Sequence, residues 1–433
     1  SITALTAQGL RDRNIQNTYD LANATPNFSM TRNIGRRLEA PTIRGQFGTL
    51  LNITGPNASL FVDGVYVSGT SSNLSSNYVE RVEVLRGPQA ALFGRATFSG
   101  AINYITRAPS DELEGEVNLK IGEDERYEAS VWASGPLIGD TLLGFASAGF
   151  QTYGGEWRNN LKPGDVNVSN DPTASQDFFN GPAVWQPNVI PGNDCPPGYL
   201  GGCPLQQGDN SKLGGEETID FSGKLQWNVS DIAEITAKID YIETDDDHYP
   251  ALFVPIENLN CFRPADALSG FEGDNGAGAA SPGWFCGELG PDSTVPTKLN
   301  LPDFRTGLTT LPPSGGPISS TPAPFIGTQS ETTRYLLQGV IDLSDWEVTA
   351  RAGYTDVNDE FVRDLDRTYA LGPVATGLFE QYSVTNTEDT SLELRLASPA
   401  DKPIYGLIGY YYFEQEESGV IRDFNGFGIP DIN

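Results

Sequence analysis

The chain has 433 residues, of which 38% are apolar and 10% aromatic, with 48 glycines and 30 prolines, a profile of strands, turns and long loops. Its 57 acidic against 27 basic residues give a formal charge of −30, which would repel a phosphate backbone and excludes nucleic acid as a partner. No stretch approaches the roughly 20 consecutive apolar residues of a transmembrane helix, so a closed β-barrel is the only route left across a bilayer.

From Ser1 to about Arg107 the sequence reads as a small mixed α/β unit. Thr6 can cap a short helix through Arg13, and Thr18 to Ala24 suggests a second before the Pro26 break. Short strands are expected at Thr42 to Arg44, Leu60 to Asp63, Val79 to Leu85 and Ala101 to Thr106. Asp63-Gly64 between apolar runs is a hairpin signal. Leu85-Arg86-Gly87-Pro88 and Phe93-Gly94 permit tight turns, so this stretch should fold as strand, turn, short helix and strand. Ser1-Ile2-Thr3-Ala4-Leu5 lacks a basic segment followed by an apolar core, so any export signal is removed or lies upstream.

After Pro109 the pattern changes to runs that alternate apolar and polar, the signature of membrane β-strands. Phe221, Leu225 and Trp227 oppose Asp220, Ser222, Lys224, Gln226 and Asn228. Ile235, Ala237, Ile239 and Tyr241 oppose Glu234, Thr236, Lys238 and Asp240. Trp346, Val348, Ala350, Ala352 and Tyr354 oppose Glu347, Thr349 and Arg351, and Leu392, Leu394 and Leu396 alternate with Glu393 and Arg395. A face so charged cannot touch lipid at acceptable cost and must look into a wet or protein-filled interior. Nine strands are expected, near 115–121, 126–134, 141–150, 216–227, 233–244, 331–342, 346–357, 387–398 and 403–415. Connections two, four, six and eight are short, whereas three, five and seven run to roughly 65, 85 and 30 residues, the one-sided asymmetry of outer-membrane barrels. A soluble β-sandwich also alternates, but offers no reason for long loops on one side only.

Cys195, Cys203, Cys261 and Cys286 lie in Gly/Pro/Asn-rich loop sequence on the long side. An even number confined to loops suggests local disulfides, 195 with 203 and 261 with 286, made in an oxidising compartment. Zinc is the competing reading, but these spacings fit no ligand signature and the chain has a single His. Asp245-Asp246-Asp247-His248 lacks the spaced ligands of a calcium loop and reads as a solvated acidic loop. The Asn-x-Ser/Thr triplets, at Asn27 and Asn52 for example, read as chance matches. No nucleophile-base pair, phosphate loop or Walker-type lysine is present, so neither an enzyme nor a resident cofactor is expected.

The segment Val79-Glu80-Arg81-Val82-Glu83-Val84-Leu85-Arg86-Gly87-Pro88-Gln89-Ala90-Ala91-Leu92-Phe93-Gly94, continuing to Gly100-Ala101-Ile102-Asn103-Tyr104-Ile105-Thr106-Arg107, closely resembles the most recognisable stretch of the TonB-dependent receptor plug. Thr42-Ile43-Arg44-Gly45, Phe61-Val62-Asp63-Gly64-Val65 and the segment Ser1 to Asn27 resemble that plug in the same order. Ser391-Leu392-Glu393-Leu394-Arg395-Leu396-Ala397-Ser398-Pro399 looks like a barrel strand of the iron-complex subgroup. The resemblance implies a membrane all-β fold: a 22-stranded antiparallel transmembrane barrel with an N-terminal α/β plug in its lumen. On that reading residues 1–109 are the plug and 110–433 the first nine strands, with the chain starting after the energy-coupling segment and ending in an extracellular loop. A unit of this size has a sphere radius of roughly 17 Å, which about 22 strands can enclose and about nine cannot.

The implied activity is TonB-driven uptake of a scarce ligand, such as a ferric siderophore, across the bacterial outer membrane. The implied partners are the TonB complex, a small molecule and outer-membrane lipid. Non-iron nutrients (carbohydrate, cobalamin, an aromatic compound) remain open, as do a passive barrel channel, an adhesin and a secreted glycan-active β-protein. The resemblance implies a plug-to-barrel lock in which Arg44 and Arg86 pair with wall glutamates, Glu393 being the best candidate, with Arg81 and Glu83 in the same network. The bland alternative is that these arginines stabilise the plug internally. Phe47, Tyr66 and Trp284 are aromatic candidates for ligand contact or for ordinary loop packing, and no metal site is expected.

Overall fold

The computed structural model describes residues 2–15, 17–32, 35–37, 39–46, 58–68, 78–89, 93, 97–158, 212–249, 261–262, 282–284, 327–343, 346–364, 379–398 and 405–425. The N-terminal unit begins with β1 (Ile2–Thr6), α1 (Ala7–Asp12), α2 (Thr18–Asn23), β2 (Phe28–Arg32) and β3 (Glu39–Ile43). It continues with β4 (Ala58–Val62), β5 (Val65–Tyr66), β6 (Val79–Arg86) and β7 (Gly100–Thr106). Thr6 caps α1 by accepting from the Gly9 amide, as expected, and Asn17 caps α2 by accepting from Asp20. β1 was not expected: the opening pentapeptide pairs antiparallel with β6, Ile2 opposite Leu85 and Thr6 opposite Arg81.

The resulting sheet has the order β1-β6-β7-β4-β5, with β4 and β7 parallel and the other pairs antiparallel. Leu5, Leu10, Leu21, Phe28, Ile43, Leu60, Val82, Val84 and Ile102 close a dry core between this sheet, the two helices and the β2–β3 pair. Asp63 and Gly64 have φ of 49° and 78°, so the β4–β5 hairpin turns through two left-handed residues, the primed turn that the Asp-Gly pair signals.

The second sheet is made of β8 (Glu114–Gly122), β9 (Arg126–Ile138), β10 (Leu142–Tyr153), β13 (Glu216–Ser230), β14 (Ala233–Asp247), β17 (Gly327–Asp342), β18 (Glu347–Asp364), β19 (Phe379–Ala397) and β20 (Leu407–Asn425). These are the nine expected strands, each hydrogen-bonded antiparallel to its neighbour in chain order. Two small ribbons stand outside the sheet: β11 (Trp157–Arg158) with β12 (Lys212–Leu213), and β15 (Cys261–Phe262) with β16 (Pro282–Trp284).

The two faces of the large sheet are inverted relative to a water-soluble fold. Leu337, Leu392 and Ile408 are 54%, 47% and 69% exposed, while Lys238, Arg334 and Asp389 on the other face are 5%, 5% and 3% exposed. This is the apolar-out, polar-in pattern of a membrane barrel. On β14 the outward apolar positions run from Ala233 to Tyr241, about 27 Å along the strand and about 21 Å after a tilt near 40°, close to the band of about 25 Å on such barrels. Above it the outward side turns acidic, with Glu243, Asp245 and Asp247 on β14. Tyr241, Tyr354 and Tyr412 mark the boundary, their hydroxyls donating to Glu243, Glu388 and Glu414 at 3.1, 3.1 and 2.8 Å.

β18, β19 and β20 run further at the long-loop end than the alternation indicated, to Asp364, from Phe379 and to Asn425. There the outward positions become Asp356, Asn358 and Glu360, or Glu414 and Glu416, so the apolar period ends while the backbone ladder continues into water.

Candidate functional site

The N-terminal unit lies against the polar face of the large sheet, and its contacts there combine charged and hydrogen-bonded pairs with a few aromatic side chains. They form a middle group, an upper group toward the long-loop ends of the strands, and an aromatic cluster at the lateral edge.

The middle group is centred on the Asp63–Gly64 turn. The Asp63 carboxylate accepts from the Thr106 amide at 2.9 Å and the Thr106 hydroxyl at 2.7 Å, which fixes its direction within the unit. From the sheet, Lys238 Nζ reaches Asp63 Oδ2 at 3.0 Å and Lys224 Nζ approaches it to 4.0 Å. Lys224 also donates to Thr106 Oγ1 at 2.7 Å and to the Arg107 carbonyl at 2.8 Å, and Lys238 pairs with Asp240 at 2.9 Å. Burial by itself would raise the Asp63 carboxyl, but the two ammonium groups and the Thr106 hydrogen bonds hold it down to about 2.

The backbones also come close here. A Cβ at Gly64 would lie 2.7 Å from Arg351 Nη1, and one at Gly353 would lie 2.6 Å from Val65 Cγ1, so both glycines are required for the contact. Alongside, Tyr66 packs edge-on to Phe61 and to Phe413 of β20, with centroids at 5.9 and 5.5 Å.

The upper group is the Arg36–Arg37 tip between β2 and β3. Arg36 forks onto Asp246, with Nε to Oδ2 at 3.0 Å and Nη2 to Oδ1, and donates to Thr218 Oγ1 and the Glu217 carbonyl at 3.0 and 3.1 Å. Glu216 stands 3.4 Å from the same guanidinium. Arg37 donates to Asp359 at 2.6 Å and lies 4.3 Å over the Phe361 ring. Asp246, Glu216 and Asp359 all sit at the long-loop ends of their strands. Glu39 beneath them accepts from Arg32 at 2.5 Å, and burial, only partly offset by Arg32 and Arg36, pushes its carboxyl up to about 7.

At the lateral edge of the contact, Tyr78 packs with Trp132 and Phe145, and Arg107 lies 4.5 Å over the Trp132 ring. A gap of about 180 Å³ lies between α1, β6 and β8–β10, lined in part by Arg11, Asn14, Arg107, Asn118, Lys120 and Gln151, polar enough and large enough for water.

Of the residues expected to form a lock, the structure does not bring the two sides together. Arg86 donates to the Pro26 carbonyl and to Thr3 Oγ1, both at 3.0 Å, and so ties β6 to the start of the chain. Arg81 pairs with Glu80 and Glu83 on its own strand. Arg44 has a left-handed backbone (φ 55°), and its guanidinium would stand 3.2 Å from a Cβ at Gly87. Glu393 accepts from Arg351, its cross-strand neighbour, at 2.9 Å and from Arg395, two residues along, at 2.5 Å. The expected pairing of Arg44 or Arg86 with Glu393 is not seen among the described residues: Arg86 bonds within the N-terminal unit, and the sheet supplies Glu393 with the nearer cations Arg351 and Arg395.

The acidic tract also needs correction. Asp245, Asp246 and Asp247 are the end of β14, not a solvated loop, and Asp246 is consumed by Arg36. Among the described residues no group of three His, Cys, Asp or Glu could hold a metal. Tyr66 is sealed in the aromatic contact just described. The backbone of Trp284 pairs with that of Cys261 in the β15–β16 ribbon. Phe47, Cys195, Cys203 and Cys286 lie outside the described residues.

Residues 1–101 match the family model for the TonB-dependent Receptor Plug Domain. The chain carries a TonB-dependent receptor plug set against barrel strands. The plug match is accompanied by the "Pesticin receptor" of Yersinia pestis, 26% identical over 144 residues, which is 33% of this chain and 21% of that protein. The "Probable TonB-dependent receptor BfrD" of Bordetella pertussis is 31% identical over 136 residues, 31% of this chain and 17% of that protein. The "Vitamin B12 transporter BtuB" of Vibrio vulnificus is 27% identical over 160 residues, 36% of this chain and 25% of that protein.

Among solved structures, the ferric yersiniabactin uptake receptor FyuA from Yersinia pestis superposes with a TM-score of 0.64 at 16% identity, over 98% of this chain and 50% of that one. The pyoverdine receptor FpvA from Pseudomonas aeruginosa gives 0.57 at 14%, over 97% and 47%. The fold is therefore that of plug and barrel in these receptors, and the chain spans about half their length.

Proposed function

We propose that this chain is the plug and the leading strands of a receptor that takes up a scarce ligand, such as a ferric siderophore, across the bacterial outer membrane. The plug, residues 1–109, closes the lumen of the barrel begun by residues 110–433, and the TonB complex displaces it using energy from the inner membrane. The observation that carries this reading is the character of the plug–wall contact. Asp63 with Lys224 and Lys238, Arg36 with Asp246 and Glu216, and Arg37 with Asp359 are directional polar pairs. Such pairs hold firmly yet can be broken and remade with water, which a dry apolar seam could not do without exposing its core. They take the place of the Arg44, Arg86 and Glu393 lock as the fastening of the plug.

The relatives' names differ in ligand, from the "Ferric-pyoverdine BN7/BN8 receptor" of Pseudomonas putida and the "Ferrioxamine B receptor" of Salmonella typhimurium to the "Vitamin B12 transporter BtuB" and the "Pesticin receptor". Uptake of a non-iron nutrient by the same motion is accordingly the second reading. Both are tested in a strain lacking the receptor gene and complemented with it, supplied with labelled ferric siderophores or labelled cobalamin, with and without a protonophore. The proposal expects protonophore-sensitive accumulation of one ligand class. Accumulation that persists with the protonophore would identify a passive channel and overturn it.

A further inference from the structure

Lys224 and Lys238 face each other directly across the β13–β14 ladder. Directly opposed like charges on one face of a sheet destabilise it unless a counterion lies between them. Here both side chains are almost sealed from solvent, 8% and 2% exposed, so water cannot screen them. The wall itself supplies one carboxylate, Asp240, which pairs with Lys238 and is held in place by the Ser222 hydroxyl at 2.6 Å. Among the described residues Asp240 is the one wall carboxylate within ion-pair distance of either ammonium group, so the two lysines outnumber their wall partners. The balance comes from the plug, through Asp63. Thr106 Oγ1, the Arg107 carbonyl and Asp63 are the partners of Lys224, and all three lie on the N-terminal side of β8.

We propose that the Lys224–Lys238 pair is a carboxylate-binding site of the barrel lumen, filled by Asp63 while the plug is docked and offered to a carboxylate of the transported ligand once the plug shifts. The first half stands on the geometry of the docked plug and wall. The second half rests on the uptake reading above. The site has the makings of a receptor for a small anion: one ammonium that donates to the carboxylate at 3.0 Å, a second ammonium 4.0 Å from it, and low solvent access that strengthens each charged contact. Arg351, whose guanidinium covers Gly64 and which is tied to Glu393, caps the same turn and keeps the local field positive. A ligand passing along this wall would thus exchange its carboxylate for that of Asp63, so that neither the dilysine pair nor the ligand is left uncompensated.

The test of the site is chemical rescue in the assembled receptor. Asp63→Ala is reconstituted in planar bilayers and its ion conductance followed in sodium chloride and in sodium acetate of equal ionic strength. The variant is expected to leak at least about tenfold more than the parent protein, as for a buried pair that has lost one partner. Acetate is expected to close it again with a saturating millimolar dependence, and the closure is expected to vanish when Lys224→Met and Lys238→Met are added. A leak indifferent to acetate, or one that acetate closes without the lysines, overturns the proposal.

If Asp63→Ala does not assemble, Asp63→Asn keeps the side-chain shape. Its leak is then expected to fall when Lys224→Gln removes the excess charge, and no fall would be equally decisive. Because conductance needs no transport, these outcomes are independent of whether uptake occurs. For the transit step, Lys224→Gln is expected to slow uptake of carboxylate-bearing ferric chelates more than that of uncharged trihydroxamate chelates, and equal slowing of both overturns that half.

Discussion

In the plug, Ile43, Val84 and Ile102 have no exposure at all, while Arg81 lies at the surface; in the wall, Leu337 and Leu392 are half exposed and Lys238 and Arg334 nearly sealed. The same side chains thus take opposite positions within one chain. The plug obeys water as its solvent and gathers hydrocarbon inward. The wall meets hydrocarbon outside, so its apolar residues need no protein cover and its polar residues must find partners within. Where the two regions meet, neither rule applies alone, and the contact is built from ion pairs, a few aromatic rings and a gap lined largely by polar side chains.

That contrast can be broken at either region. Ile102→Ala should cost the plug about 2–5 kcal/mol through the cavity it leaves, while the barrel keeps its resistance to unfolding in mild detergent, as read on unheated gels. Loss of the folded barrel band would mean that plug and wall do not stand as separate cores. Leu337→Arg should cost about 2–4 kcal/mol of barrel stability in bilayers, although Leu337 has the exposure of a surface residue; a neutral result would contradict lipid contact at that face. Gln338→Arg, one residue along and facing inward, should be tolerated far better in the same measurement.

Smaller effects sharpen the contact itself. Arg36→Ala leaves Asp246 and Glu216 without their cation and should weaken plug retention by about 1–3 kcal/mol, seen as plug release at lower urea. Arg86→Ala should act on the plug's internal stability and leave retention by the wall nearly unchanged, since its partners are Thr3 and Pro26.

The pH dependence should have two opposed arms. Asp63, depressed to about 2 from an ordinary 3.8, contributes stability that is present above that ordinary value and is lost as pH falls toward 2. Glu39, raised to about 7 from 4.5, contributes stability present below 4.5 and lost as pH rises through 7. Stability of the folded assembly should therefore be greatest near pH 4 to 5, and Glu39→Gln should flatten the alkaline arm only. An alkaline arm unchanged by Glu39→Gln would assign it to another group.

Strand count, order and facing of the wall were legible because a period of two is a local property: Phe221, Leu225 and Trp227 declare one face and Lys224 the other without reference to anything distant. The outer ends of β18 to β20 were not, since a strand that leaves hydrocarbon no longer alternates in polarity. β1 escaped notice because five residues, Ile2 to Thr6, are too few to show a period before the helix begins. Within the candidate site, Asp63 could be read as a turn residue but not as a counterion, and it is both. Asp246 belonged to a run of carboxylates that looks solvated when its neighbours in space are unknown. Arg36 and Arg37 carried no motif or period at all.

The sequence by itself determined which residues face lipid, which face the lumen and where the short turns fall, because each follows from neighbours a few positions away. Only the tertiary structure decided which charges meet. Asp63 and Lys238 lie 175 positions apart and Arg36 and Asp246 lie 210 apart, and their meeting depends on how a folded plug seats against a folded wall. Coulomb attraction and hydrogen bonding act over a few ångströms, so the identity of a partner is fixed by that seating and by no pattern along the chain.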